Sequence, residues 1–174
     1  MKVGVLGSGG REHAICFSLK NSTNIQEIYC FPGNAGTNSI ANNIDINLGD
    51  FKKLKDFIIQ NKIDFIIIGP EQPLVDGIVD YLEKFNIKVF GPNKTASQLE
   101  GSKIFTKNLC EKYKIPTAKF GIFSNTKQAL SFLQNCNFPI VIKADGLAAG
   151  KGVYISENYL EASKAVEEIF KGKF

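Results

Sequence analysis

The densest chemistry in this chain lies in the eleven residues from Lys143 to Val153, KADGLAAGKGV. They follow the apolar run Pro139 to Ile142 and precede a second short one, Val153 to Ile155, which predicts a turn joining two strands. Glycines at 146, 150 and 152 carry no Cβ, so the backbone N–H groups of such a turn can come close to an anion. Lys143 and Lys151 flank it. Alternation along a strand puts Lys143 on the face of Val141, with its ammonium emerging where the strand ends. A flexible cover with a cation at either side suits a polyphosphate. An ordinary glycine-rich hairpin with solvated lysines has the same composition, and both remain open at this point.

A second glycine cluster lies at the amino end. Lys2 to Leu6 is a β-type run that meets Gly7-Ser8-Gly9-Gly10-Arg11-Glu12-His13, and Ala14, Ile15, Phe17 and Leu19 continue as helix. Strand, glycine turn and helix open a Rossmann-like unit, and the start of such a helix offers free N–H groups and about half a positive charge to a phosphate. Two features argue against a dinucleotide. Glu12 stands where the third glycine of that fingerprint belongs, and the next strand, Ile28 to Phe31, ends in Pro32-Gly33-Asn34 instead of the acidic residue that would hold a ribose. Arg11 fits a smaller phosphorylated ligand, although an Arg in a first helical turn can equally do no more than meet solvent. His13, the single histidine, has no Cys or Asp arrangement around it and reads as a structural or orienting group, not a metal ligand or general base.

The elements that must position these residues alternate. Ile44 to Leu48 reads as a short strand, Asp50 as the cap of a helix with Phe51, Leu54, Phe57 and Ile58 on one face, and Ile63 to Ile68 as a strand buried on both sides. After Gly69-Pro70-Glu71-Gln72-Pro73-Leu74 comes one helix with Val75, Ile78, Val79 and Leu82 inward, then a strand from Lys88 to Phe90 closing in Gly91-Pro92-Asn93. This pattern predicts an α/β fold with a Rossmann-like, doubly wound parallel sheet. The unusual turns all follow strands, so they gather at the carboxyl edge, where open α/β sheets bind ligands. The backbone there and Arg11 would take a phosphate. Glu71 would take an amine or sugar hydroxyls, or stand as a turn carboxylate in water.

The pattern changes near Gly101-Ser102, where a helix stops and restarts with Ser102 as its cap and Ile104, Phe105 and Leu109 inward. Lys103 and Lys107, four apart, share a face on which Glu100 and Glu111 could neutralise them. Ile115-Pro116-Thr117 ends that helix. A strand from Lys119 to Phe123, a helix from Asn125 to Leu133 and the strand into Lys143 follow, and a last helix carries Ala162, Ala165, Val166, Ile169 and Phe170 as an apolar stripe. The expected division is an N-terminal Rossmann-like substrate domain over 1–101, then 102–174 with a linker helix at 102–114 and a small α/β subdomain at 117–174.

Composition narrows the partners. The net charge of +4 over 174 residues is scattered, which argues against a nucleic-acid groove or a membrane patch and leaves small anionic ligands. Cys16, Cys30, Cys110 and Cys136 form no CxxC pair, which favours reduced, mostly buried thiols and a cytoplasmic setting. No basic leader and no apolar run of about 18 residues is found.

Taken in order, GSGGREHA at 7–14, PGNAGT at 32–37, GPEQPLVDGI at 69–78, FGP at 90–92, QLEGSKIFTK at 98–107, IPTA at 115–118 and VIKADGLAAGKGV at 141–153 closely resemble the phosphoribosylamine-glycine ligases. These glycinamide ribonucleotide synthetases belong to the ATP-grasp superfamily and act in purine biosynthesis. The resemblance implies a pre-ATP-grasp domain followed by the first part of an ATP-grasp domain. It implies that Lys107 and Lys143 approach ATP phosphates, as the catalytic pair, under a cover of Gly146, Leu147, Ala148, Ala149, Gly150, Lys151, Gly152 and Val153. It also implies that Gly9, Gly10, Arg11, Asn34 and Glu71 face 5-phosphoribosylamine. The implied reaction phosphorylates the carboxylate of glycine with ATP, and the sugar amine then attacks the acyl phosphate. Family members continue with an adenine-contacting segment, acidic ligands for magnesium and an RxGDPE-type motif. None of these occurs in the 174 residues, so an N-terminal portion without ligase activity of its own is expected. A sister ATP-grasp carboxylate-amine ligase shares the lysines and glycine loop but not GSGGREHA with PGNAG. A non-catalytic Rossmann-like module holding a phosphorylated metabolite is the alternative of another class, and an NAD-dependent oxidoreductase lacks its ribose carboxylate.

Overall fold

A computed structural model describes residues 1–148 and 150–172. The chain divides into two compact units, Met1–Gln98 and Leu99–Phe174. The first contains β1 (Lys2–Gly7), α1 (Gly10–Lys20), β2 (Glu27–Pro32), β3 (Asn42–Asn43), α2 (Phe51–Gln60), β4 (Phe65–Ile68), α3 (Glu71–Asp76), α4 (Ile78–Glu83) and β5 (Val89–Phe90). Its five strands are ordered β3-β2-β1-β4-β5 and every pairing is parallel. The chain therefore winds outward from β1 in both directions, as the alternation of strand and helix predicted.

Alternating side chains on β1 explain the two layers of this unit. Leu6 joins Phe31, Leu54, Ile58, Ile66, Ile78 and Leu82 on one face, while Val5 joins Cys16, Ile28 and Cys30 on the other. Leu54 is fully buried, which is worth about 1.5–3 kcal/mol relative to leaving it in water. Cys16 and Cys30 are buried thiols; the hydrogen bond to Cys30, and then burial, push the Cys16 thiol well above its ordinary range, so it stays protonated. Cys110 and Cys136 are only half-buried.

Two expectations for this unit are corrected. The strand expected at 44–48 forms instead at Asn42–Asn43, where Asn43 is tied to Thr37 and Asn34. Ile46 is buried in the larger core with Ile44 and Leu48 packed beside it, so their alternation serves packing and not sheet pairing. The single helix expected after Leu74 is two helices, the first starting at Glu71, because Gly77 turns left-handed at φ +97° between α3 and α4. The helix expected after the first glycine turn forms as α1, with Glu12 and Cys16 buried, Ile15 and Leu19 packed on the core and Phe17 58% exposed.

Helix α5 (Lys94–Gly101) leads into the second unit, which contains α6 (Lys103–Lys112), α7 (Thr126–Leu133), β6 (Ile140–Lys143), β7 (Val153–Ser156) and α8 (Tyr159–Phe170). Strands β6 and β7 form an antiparallel hairpin. Ala129 and Leu133 of α7 pack with Ala162 and Val166 of α8, and Ile140 and Ile142 lean on them. Side-chain caps set the helix starts: Ser102 accepts from Phe105 N, Asn125 from Gln128 N and Asn158 from Glu161 N. The strand expected at 119–123 is absent, since the two-stranded sheet gives it no partner; Phe123 instead packs on the small core and on the ring of Phe132. Ile104, Phe105 and Leu109 are half-buried, and Phe170 is exposed. No helix of the described residues is long and apolar enough to cross a membrane.

Candidate functional site

At the carboxyl edge of the parallel sheet the strands end level. Gly7 pairs with Pro32, Leu6 with both Phe31 and Ile68, and the amides of Gly33 and Gly69 donate to Gly7 O and Leu6 O at 3.1 and 3.0 Å. The turns after β1, β2 and β4 are thereby brought side by side around the point where the winding reverses. Arg11, in the first turn of α1, reaches across it: Nη1 donates to Gly69 O at 2.8 Å and to Glu71 Oε1 at 2.9 Å. The sequence treats these two residues separately, and the structure makes them an ion pair. The amide at its own position, followed by the guanidinium of Arg11, holds the Glu71 carboxyl below the usual glutamate range.

Asn34 serves this edge as a brace. Its Nδ2 donates to Ser8 O and Gly9 O at 2.9 and 3.2 Å, and its Oδ1 accepts from Thr37 N at 2.9 Å. The fully buried Thr37 hydroxyl and the Asn43 amide complete the network. With its amide so committed, Asn34 shapes the Ser8–Gly9 turn. Glu12, 5% exposed, lies beneath the same turn. Its Oε2 accepts from Gly9 N at 2.6 Å, and a Cβ on Gly7 would come within 2.5 Å of its Cγ and Cδ. A Cβ on Gly69 would meet the same carboxylate. Gly9 therefore has its amide taken, whereas the amides of Gly10 and Arg11 meet no partner among the described residues and nothing lies within 4 Å of a Cβ built on Gly10. Those two amides, at the positive end of an eleven-residue helix, with a guanidinium beside them, can hold one phosphate. His13 stands beside Gly36, 3.2 Å from a Cβ built there, and belongs to the packing of the two turns.

The second constellation is the β6–β7 hairpin. Lys143 pairs with Val153 and Val141 with Ile155, and one face of the ladder carries Val141, Val153 and Ile155 at 50, 44 and 70% exposure, with Lys143 exposed among them. Lys143 enters no ion pair among the described residues. Beyond the ladder, Ala144 N donates to Gly152 O and Lys151 N to Ala148 O, both at 2.8 Å. Gly150 adopts φ +77°, which favours glycine, and nothing stands within 4 Å of a Cβ built there or on Gly146. Leu147 and Lys151 are exposed; Ala149 lies outside the described residues. A cation at the strand end and an open glycine crest fit a polyphosphate, and the apolar face beside them fits a flat heterocycle.

Lys107 is differently engaged from the charge-neutralised group expected. Its Nζ donates to Thr117 Oγ1 at 2.6 Å and Ala118 O at 3.3 Å and lies 5.2 Å from the Phe120 ring centre, so the segment after α6 takes it, not Glu111. Lys103 donates to Gly146 O at 2.8 Å, not to Glu100. Among the described residues no three His, Cys, Asp or Glu side chains converge, so they supply no magnesium cage.

Sequence reasoning missed three side chains and one surface. Glu12 is visible there only as a departure from a glycine fingerprint, yet its carboxylate fills the floor of the turn. Thr37 and Asn43 lie in an asparagine-rich stretch whose side-chain bonds no periodicity reveals. The apolar outer face of the hairpin was legible in principle, since Val141, Val153 and Ile155 alternate with inward residues.

Comparison with known proteins follows the same division. A family model described as phosphoribosylglycinamide synthetase, N domain, matches residues 1–100, and one described as phosphoribosylglycinamide synthetase, ATP-grasp (A) domain, matches residues 101–174. The phosphoribosylamine-glycine ligase of Caldanaerobacter subterraneus is 50% identical over 98% of this chain and 41% of its own length. That of Clostridium acetobutylicum is 45% identical over 99% of this chain and 42% of its own length. The crystal structure of the Thermotoga maritima ligase superposes with a TM-score of 0.78 at 31% identity, covering 99% of this chain and 41% of that one. An ADP complex of an N5-carboxyaminoimidazole ribonucleotide synthetase shares the fold at a TM-score of 0.77 and 18% identity, covering 95% of this chain and 43% of that one. This chain thus spans about two fifths of the length of these relatives.

Proposed function

This chain belongs to the phosphoribosylglycinamide synthetase family, and from that premise we propose that it contributes the sugar-phosphate site and the nucleotide-phosphate cover of an ATP-dependent carbon–nitrogen ligase. The reaction joins 5-phosphoribosylamine to glycine. A phosphoryl group passes from ATP to a carboxylate oxygen of glycine with departure of ADP; the amine then attacks the carbonyl carbon, and phosphate leaves as the amide bond forms.

The observation that carries this reading is the pairing of two separately built anion sites with the motifs of one family. Gly10 N, Arg11 N and the Arg11 guanidinium would hold the phosphate of the sugar, with Gly9 and Asn34 shaping the turn and Glu71 orienting Arg11 and offering a carboxylate to the sugar or its amine. Lys143 and Lys107 would face the triphosphate, beneath the segment from Gly146 to Val153, with Val141, Val153 and Ile155 against the base. Phosphoryl transfer needs little covalent help from a protein; positioning and charge neutralisation do most of the work, which two lysines and a glycine-rich cover provide. Magnesium, expected to travel with the nucleotide, finds no carboxylate set among the described residues, and no step is assigned to it. Enzymes of this kind act on small soluble metabolites, and a cytoplasmic setting without nucleic-acid or membrane partners fits them.

The test takes a polypeptide of the relatives' full length that carries these residues, assayed for glycine-dependent ADP formation. Lys143→Ala is expected to lower kcat/KM for ATP by about 100-fold or more with KM for phosphoribosylamine little changed. Arg11→Ala is expected to raise KM for phosphoribosylamine by about tenfold with KM for ATP little changed. Wild-type ATP kinetics in Lys143→Ala would contradict the assignment of the hairpin. A rival member of another class, a phosphometabolite-binding module, would show no glycine-dependent turnover at all.

A further inference from the structure

The root of the glycine segment is tied down by a residue with no role assigned above. Asp145 follows Lys143 by two positions and stands at the base of the β6–β7 turn. Its carboxylate accepts from the Ser102 hydroxyl, at 3.1 Å to Oδ1 and 3.0 Å to Oδ2, and from the backbone N–H of Ile104, at 3.1 Å to Oδ1. The neighbouring Lys103 Nζ donates to Gly146 O at 2.8 Å. Three donors, the Ser102 hydroxyl shared between both carboxylate oxygens, Ile104 N and Lys103 Nζ, therefore join the cap and first residues of α6 to two consecutive residues of the loop. Ser102 is used twice, since its oxygen also accepts from Phe105 N at 3.0 Å as the helix cap.

The remainder of the segment is held differently. Among its described residues the crest, from Leu147 to Lys151, makes an internal bond, Lys151 N to Ala148 O, and Gly150 stands in open space at φ +77°. The root, Asp145–Gly146, is thus tied to α6, whereas the described crest residues show the one bond between Lys151 and Ala148. Lys107 lies one turn along the helix whose start grips that root, and Lys143 lies on the strand that leads into it. A charge-assisted contact at this place sets both lysine-bearing elements relative to the crest.

We propose that Asp145 is a positioning residue for nucleotide binding: it latches the root of the glycine segment to the start of α6 and so sets Lys107 and Lys143 for the triphosphate. This rests on the reading that the hairpin takes the nucleotide, and it goes beyond that reading by assigning the device that registers the two lysines. Asn at position 145 would retain an acceptor for Ile104 N and Ser102 Oγ, whereas Ala would retain none.

Two measurements on wild type, Asp145→Ala, Asp145→Asn and Ser102→Ala test the latch. The first, on this 174-residue chain with folding checked by circular dichroism, is the rate of tryptic cleavage after Lys151, read by mass spectrometry. Asp145→Ala is expected to raise it by about tenfold and Asp145→Asn by less than about threefold, with Ser102→Ala between them and available should Asp145→Ala not fold. The second, in the full-length polypeptide, is the KM for ATP. It is expected to rise about tenfold in Asp145→Ala and to recover in Asp145→Asn, while KM for phosphoribosylamine stays within about twofold. Unchanged cleavage in Asp145→Ala, or in Ser102→Ala where the first does not fold, overturns the latch. Raised cleavage with unchanged KM for ATP overturns the positioning role and leaves a structural tie. Lys143→Ala measured alongside separates this from the broader reading: should that variant also leave ATP kinetics untouched, the nucleotide assignment fails, and the latch is decided by the cleavage rates alone.

Discussion

Arg11 and Glu71 lie 60 positions apart and meet at 2.9 Å because β1 and β4 are neighbours in the sheet and end at the same level. Both side chains are well exposed, so the pair adds little to stability, and its value lies in aiming the guanidinium over the turn. The Glu71 carboxyl is depressed below its ordinary range, first by its own amide and then by Arg11. A depressed carboxyl contributes stability that is complete above the unfolded glutamate pKa and is lost as pH falls through the lower folded value. A carbon-13 titration of the Glu71 side chain should therefore give a midpoint below the ordinary value. Arg11→Met should return it only part of the way, because the larger cause is the amide. A wild-type midpoint at the ordinary value would remove the pair from solution. At this scale the sequence discloses residue types but not partners: Arg11 and Glu71 were legible as candidates, their bond was not, and Glu12 was legible only as a glycine that was missing.

Elements were most legible where a cap or an unbroken apolar run marked them. Asp50 and Ser102 each accept from an amide three residues on, as their types and places required, and the run ending at Ile68 is the interior strand β4. The failures have one physical cause, that pairing and long-range side-chain bonds override local pattern. The residues at 119–123 have strand composition but no neighbour to bond, and the alternation at 44–48 is spent on packing once Asn42–Asn43 has taken the sheet edge. In sequence Gly77 reads as a residue within one helix; at φ +97° it is the joint between two, with Lys94 Cδ 3.1 Å from where a Cβ would sit. Gly77→Ala should cost about 1–3 kcal/mol in urea unfolding, the cost of a non-glycine residue held in that region. An alanine variant as stable as wild type would show that α3 and α4 run on as one helix.

For the molecule as a whole, the family assignment was legible because seven short motifs, each weak by itself, occur in one order along the chain, and family models match on both sides of residue 100. What the motifs could not convey is how each site is built. The amino-end turn is braced from below by Glu12 and from the side by Asn34, and the hairpin turn is anchored through Asp145. Each unit has its own core and its own candidate anion site. The central claim, that a sugar phosphate and a nucleotide tail bind at two different glycine turns, is tested most directly by mapping amide chemical shifts of the 174-residue chain during separate titrations with ribose 5-phosphate and ATP. Ribose 5-phosphate should move the amides of Ser8 to Arg11 and Asn34, and ATP those of Lys143 to Ala148 and of Gly150 to Val153. Shifts from both ligands at one and the same turn, or from neither at either turn, would contradict it.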